Sequence, residues 1–100
     1  MVIKRDKRRE EFNRDKLSIG INKAIEKRPV SQAQVEKLIE DIEHEVFVKA
    51  GDSHEIPSIE VGEIVIEKLR DLDQVAYIRF ASVYRQFKDV KEFIKEIKNI

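Results

Sequence analysis

Charged side chains are concentrated near the start of the chain, where nine of the first sixteen residues are Lys, Arg or Asp, and seven of these nine are cations. Arg and Lys side chains can clamp phosphate oxygens, and the first turn of a helix adds free amides and a positive dipole end. Lys16 falls in the first turn of a predicted helix, where a cation opposes the dipole. This pattern favours a phosphate-binding site over the alternative, a charged edge ribbon that resists aggregation. The candidate cations are Lys4, Arg5, Arg8, Arg9 and Lys16.

Two further groups of side chains could contact a ligand. Glu10 and Asn13 could bind a ribose or a base, although exposed polar residues at a strand–helix junction usually have no such role. An aromatic row at helical spacing favours core packing, with a base stacked on a tyrosine as the alternative. The row consists of Tyr77, Phe80, Tyr84 and Phe87.

No catalytic arrangement can be recognised, and we predict that the chain is not an enzyme. The carboxylates are spread along predicted helices, and none is paired with a histidine or an apolar pocket as general acid–base chemistry would need. A Gly-rich phosphate loop is absent, which argues against a kinase or a P-loop hydrolase. The chain has no cysteine and two histidines, so we expect no zinc site and no other metal site of its own.

Composition restricts the partners. Twenty Lys and Arg residues balance twenty Asp and Glu residues, and a net charge of zero argues against a general DNA-binding surface. No apolar run reaches membrane-spanning length, and the start of the chain lacks the apolar core of a signal peptide. We therefore expect a cytoplasmic protein without membrane contact. Its 100 residues are enough for one domain with one hydrophobic core.

A short hairpin is the first predicted element. Val2 to Arg5 has the composition of a strand, and Arg9 to Phe12 would be the return strand. Asp6 and Lys7 would form the turn between them, at a point where the second residue usually needs a positive φ and is glycine. Lys7 would therefore be strained, or the turn is of another type.

Helices account for the rest of the chain, and each predicted start carries a side chain that can cap free amides. Pro29 should end the first helix near Lys27 and Arg28. The fourth helix is predicted to bury Ala76, Phe80, Val83, Tyr84 and Phe87. The predicted caps are Asn13, Ser31 in a capping box with Gln34, Ser58, Asp73, and Asp89 with Glu92 for a last tail helix. The predicted class is α+β, a small N-terminal hairpin packed on a four-helix bundle with a C-terminal tail helix.

The opening Val2-Ile3-Lys4-Arg5-Asp6, with Glu10, Phe12, Asn13 and Lys16 after it, resembles the start of the ATP-cone domain. This is the allosteric nucleotide-binding module of many ribonucleotide reductases and the C-terminal part of the bacterial ribonucleotide reductase transcriptional regulators. Two segments, 26–31 and 75–85, resemble the regulators in particular. The resemblance implies a β-mat on about four helices, with residues 1–88 as the ATP cone and 89–100 as the tail helix.

The resemblance also implies the site. Lys4, Arg5 and Lys16 would bind the phosphates, while Glu10 and Asn13 would lie nearer the sugar or base. Ser58 falls near a position that senses adenine. The full set that it places at the nucleotide is Val2, Lys4, Arg5, Glu10, Asn13, Lys16, Ser58, Tyr84 and Lys88.

As a regulator domain, the chain is expected to bind ATP and dATP, with or without Mg²⁺, and to form a homo-oligomer that controls repression. DNA would be read only by a zinc ribbon with four cysteines, which this chain lacks, so it is an excised domain or a free-standing relative. At the hairpin tip the family usually has Asp-Gly, and this chain has Asp6-Lys7. Two alternatives remain: the allosteric lobe of a reductase, and a helical interaction module whose tail docks through Phe93, Ile94 and Ile97.

Overall fold

The computed structural model describes residues 1–4 and 6–85. It has the predicted α+β class, with a small sheet against four helices, and the predicted tail helix lies outside the described residues. A short 3-10 turn, Gly51–Ser53, follows the second helix. The elements are β1 (Val2–Ile3), β2 (Arg9–Glu10), α1 (Arg14–Ala24), α2 (Gln32–Ala50), β3 (Ile56–Pro57), α3 (Ser58–Leu72) and α4 (Gln74–Tyr84).

The sheet has the order β2-β1-β3. β1 pairs with β2 in antiparallel fashion and with β3 in parallel fashion, so that Val2 lies between Glu10 and Ile56. The Lys4 amide donates to the Arg8 carbonyl at 2.8 Å, and the Lys7 amide donates to the Lys4 carbonyl at 2.9 Å. These bonds enclose three residues, so the turn is longer than the two-residue turn predicted. Lys7 has a φ of 68°, as a three-residue hairpin loop requires at its last position.

Three of the four predicted caps within the described residues are confirmed. The Asn13 side chain accepts from the Lys16 amide at 3.1 Å, and Asp73 accepts from the Ala76 amide at 2.9 Å. Ser31 accepts from the Gln34 amide as part of a complete capping box. The prediction for Ser58 is wrong, because Ser58 is the first residue of α3 and Pro57 precedes it without a side-chain cap. β3 extends to Pro57, so the helix begins directly where the strand ends.

The core lies among the four helices, and the apolar stripe of α2 is buried in it together with Ile21 and Ala24 of α1. The buried residues of α2 are Val35, Leu38, Ile39, Ile42 and Val46. On α4 the buried residues are Ala76, Tyr77 and Ala81, whereas Val83 is 77% exposed, so its predicted place in the core is wrong. Ala76 is buried as predicted, and Phe80 and Tyr84 pack half-buried against the core. The small side chains of Ala76 and Ala81 allow α4 to approach its neighbours closely, and Phe87 lies outside the described residues. Tyr77 is a core residue whose hydroxyl oxygen accepts from Arg70 Nη2 at 2.9 Å.

Two arginines tie the end of α1 to α4. Arg79 Nη1 donates to the carbonyls of Ala24 at 3.1 Å and Glu26 at 2.7 Å, which are otherwise unpaired at the helix end. Arg28 forms an ion pair with Asp73 at 3.0 Å. These contacts fix the distance between α1 and α4, which form two walls of the site described next. Among the described residues, no helix combines the length and the apolar character needed to cross a membrane.

Candidate functional site

A cleft of about 510 Å³ lies between the hairpin and the start of α1 on one side and helices α3 and α4 on the other. It brings together seven of the nine residues that the sequence places at the site. The other two, Arg5 and Lys88, lie outside the described residues. The seven are Val2, Lys4, Glu10, Asn13, Lys16, Ser58 and Tyr84.

Lys4 of the hairpin and Lys16 of α1 bring positive charge to the cleft. Lys4 Nζ is 3.7 Å from Glu10 Oε2, and both side chains are about two-fifths exposed, so water screens this pair strongly. Lys16 forms no ion pair within residues 1–4 and 6–85, and it stands in the first turn of α1, beside the free amides of the helix start. The charge on Lys16 is therefore available to an anion in the cleft.

Among the described residues of the hairpin, the cations Lys7, Arg8 and Arg9 do not line the cleft. Arg8 Nε forms an ion pair with Asp6 Oδ2 at 2.6 Å, and Arg9 Nε forms one with Glu55 Oε1 at 3.0 Å. The backbone amide of Arg8, together with its guanidinium, holds the pKa of the Asp6 carboxyl below its usual value. The cationic segment thus divides into residues that line the cleft and residues that stabilise the hairpin and sheet.

An apolar wall faces the cations. Phe80 and Tyr84 stack with ring centroids 6.2 Å apart and an interplanar angle of 21°. Half-buried side chains from the hairpin exit, α1 and α3 complete this wall, which suits a flat, weakly polar group. They are Phe12, Leu17, Val61 and the buried Val65.

Tyr84 connects the wall to the start of α3. Its hydroxyl donates to the Ile59 carbonyl at 3.0 Å and lies 3.4 Å from the Ser58 carbonyl. The ring lies directly against Gly62, where a Cβ would be 2.0 Å from Tyr84 Cζ. Tyr84 also faces a neighbouring cleft of about 440 Å³ between α1 and α4, which shares Lys16 and Phe80 with the main one.

The family described as the ATP cone domain matches residues 1–90. The chain belongs to the ATP-cone domain family. ATP cones bind adenine nucleotides and act as regulatory domains, so the predictions of a nucleotide-sensing module and of a chain that is not an enzyme are confirmed at that level.

Curated relatives agree with this assignment. The ATP cone is 53% identical to the transcriptional repressor NrdR of Caldicellulosiruptor saccharolyticus, 52% to that of Acetivibrio thermocellus and 51% to that of Clostridium perfringens strain SM101. Each match covers all 100 residues of this chain, and 64%, 65% and 66% of the respective relatives. The chain thus spans about two thirds of the length of these repressors.

Sequence reasoning missed most of the apolar wall of this ATP cone. Phe12, Leu17, Val61 and Phe80 lie at the edges of apolar stripes, where a side chain can face the core or a cleft, and spacing does not distinguish the two. Gly62 did carry a signal, because glycine inside a helix lowers stability and often marks a close approach. Among the described residues, no group of three or more metal-ligating side chains is placed to hold a metal ion.

Proposed function

We propose that this ATP cone senses adenine nucleotides by binding ATP or dATP in the main cleft. The observation that carries the proposal is the mixed lining of the cleft, which combines the cations Lys4 and Lys16 with the stacked rings of Phe80 and Tyr84. A nucleoside triphosphate offers matching chemistry, a flat base joined to a highly charged tail. The volume of the cleft, about 510 Å³, falls within the usual range of small-molecule sites.

In this arrangement Lys4 and Lys16, together with Arg5, bind the phosphates. The contact between Lys4 and Glu10 is long and screened, so a phosphate can replace the carboxylate as the partner of Lys4. Glu10 is then free to accept from a sugar hydroxyl or a base. Mg²⁺, where it takes part, would arrive on the triphosphate, since it prefers phosphate oxygens, water and one or two carboxylates.

Around the sugar and base, Asn13, Ser58 and Tyr84 are the proposed contacts, with Lys88 as a further one and Val2 on the floor. ATP and dATP differ by a single hydroxyl, so discrimination must depend on a few polar groups that hydrogen-bond this hydroxyl and lose that bond in dATP. Glu10 and Asn13 are the polar groups best placed for this, at the junction of hairpin and α1.

Regulation is proposed to operate through assembly. The nucleotide in residues 1–88 would select one homo-oligomer over another, and in a longer protein with a zinc ribbon this would change operator binding. The support is the similarity to repressors of which this chain spans about two thirds. The tail, residues 89–100, is proposed to extend the helical part of the domain.

Isothermal titration calorimetry with ATP and with dATP tests the binding proposal. We expect a dissociation constant below 1 mM for both nucleotides. A dissociation constant of 1 mM corresponds to a binding free energy of about −4.1 kcal/mol. Lys4→Ala and Lys16→Ala should each weaken binding by about 1.5–3 kcal/mol for each charged hydrogen bond lost. Arg9→Ala is the matched control, because Arg9 belongs to the same hairpin and is also ion-paired, but does not line the cleft.

Two results would contradict the proposal. Absence of binding by either nucleotide would remove it outright. Equal losses in Arg9→Ala and Lys4→Ala would show a general attraction of anions to the hairpin instead of a built site.

Thermal melting tests the alternative, a helical interaction module. If the melting temperature depends on protein concentration but not on nucleotide, this module is the better account, because a specific ligand must raise the melting temperature.

A further inference from the structure

We propose that Gly62 is a positioning residue of the cleft, whose missing side chain forms the seat of the Tyr84 ring and keeps that ring out of the ligand's space. This inference rests on the proposed nucleotide site and adds a determinant of its affinity. Gly62 is buried in α3, and both residues line the cleft.

The three glycines of the chain have different reasons to be glycine. Gly51 has a φ of 59°, so its backbone conformation favours glycine. Gly20 has space for a side chain, since the nearest atom to an added Cβ is Phe80 Cε2 at 3.6 Å. Gly62 has neither a positive φ nor space: an added Cβ would lie 2.0 Å from Tyr84 Cζ and 2.3 Å from its hydroxyl oxygen.

Glycine within a helix costs about 1 kcal/mol relative to alanine, so Gly62 weakens α3 as a helix. Its absent side chain should therefore have another purpose. The contact with Tyr84 is that purpose. The ring reaches the α3 backbone closely enough for its hydroxyl to donate to the Ile59 carbonyl at 3.0 Å. The hydrogen bond and the seat together hold the last turn of α4 against the first turn of α3.

A methyl group at position 62 would have to displace the ring. The α3 backbone lies beneath the ring, and Phe80 stacks beside it at 6.2 Å. The open directions are the two clefts that Tyr84 lines. The displaced ring would therefore enter one of these two clefts, both of which Lys16 also lines, or distort its shape.

A double-mutant cycle on ATP affinity tests this, with Gly62→Ala, Tyr84→Leu and the double variant measured by calorimetry. We expect Gly62→Ala to weaken ATP binding at least tenfold, about 1.4 kcal/mol. In the Tyr84→Leu background the same change should cost less than twofold, because no ring remains to be displaced. Gly20→Ala is the matched control, a helical glycine with space for the methyl group, and its affinity should equal that of the wild type.

Each outcome decides the inference. Wild-type affinity in Gly62→Ala, or an equal loss in both backgrounds, would overturn it. Wild-type protein that binds no nucleotide would instead refute the proposed function. A purely structural role predicts a lower melting temperature with unchanged affinity of the folded protein. If Gly62→Ala does not fold, Tyr84→Phe replaces it: loss of the hydroxyl bond to Ile59 should weaken ATP binding severalfold, and unchanged affinity would overturn the inference.

Discussion

At the scale of single residues, the backbone conformation of Lys7 and the space around Gly62 show what a sequence reveals and what it hides. The strain at Lys7 could be predicted, because a tight hairpin needs a positive φ at a known place in the turn. The structure gives Lys7 a φ of 68°. The purpose of Gly62 could not be predicted, since it depends on a tyrosine twenty-two residues away in another helix.

Lys7→Gly should therefore stabilise the domain. A left-handed conformation costs a residue with a Cβ about 1 kcal/mol, and glycine avoids that cost. We expect the free energy of unfolding, measured with urea, to rise by up to about 1 kcal/mol. Lys37→Gly is the matched control: Lys37 is an exposed lysine inside α2, and the change should lower stability by about 1 kcal/mol. A lower urea midpoint for Lys7→Gly would contradict the role assigned to its φ.

The site residues divide along the same line. Lys4, Glu10, Asn13 and Lys16 lie within thirteen residues of one another, and local reasoning together with the family resemblance placed them in one group. Ser58 and Tyr84 join them only through tertiary packing, of α3 against β3 and of α4 against α1 and α3. The resemblance named both, but spacing alone gives no means of bringing them to the cleft.

At the scale of elements, helix starts were predicted where a side chain supplies the cap. Asn13, Ser31 and Asp73 each leave a local pattern. The start of α3 was misplaced by one residue because β3, a two-residue strand, fixes it. The partner of β3 is β1, which lies at the start of the chain, far from β3 in the sequence. Pairing over such a distance leaves no signal in a short window of sequence. On α4 the predicted stripe wrongly included Val83 and left out Ala81, because alanine counts little in an apolar stripe.

Asp73 makes a testable contribution at this scale, since it both caps α4 and pairs with Arg28. Burial alone would raise the pKa of the Asp73 carboxyl, but the hydrogen bond from the Ala76 amide and the Arg28 guanidinium outweigh it and lower the pKa. Because the pKa is lower in the folded state, the stabilisation is complete above the usual value of 3.8 and is lost as pH falls through the folded value.

Asp73→Asn separates the charge from the cap, because asparagine also caps helices well. We expect the stability difference between wild type and Asp73→Asn to be constant near neutral pH and to shrink below about pH 4. Asp73→Ala loses the cap as well and should cost about 1 kcal/mol more at pH 7. Urea unfolding at several pH values provides the measurement. A wild-type advantage that persists unchanged to pH 3 would show that the carboxylate charge contributes nothing.

At the scale of the whole molecule, a net charge of zero does not show which cations are neutralised by ion pairs and which are left for a ligand. Arg8 and Arg9 of the hairpin are held by Asp6 and Glu55, while Lys16 lines the cleft without such a partner in the described part of the chain. The balanced composition predicts no general polyanion-binding surface. It could not show a local site, because a site depends on which cations remain unneutralised after folding.

The proposed control of assembly makes a thermodynamic prediction at this scale. A ligand can shift an oligomer equilibrium only by binding one form more tightly, and the coupling is reciprocal. If ATP and dATP select different assemblies, light scattering after size exclusion should give different masses with the two ligands. Their apparent affinities should then change in opposite directions as the protein is diluted. Lys16→Ala should bring the masses with both ligands to that of the ligand-free protein. Equal masses with ATP, with dATP and without ligand, in a protein that calorimetry shows to bind both, would contradict the proposed control of assembly and leave nucleotide binding as the role of this domain.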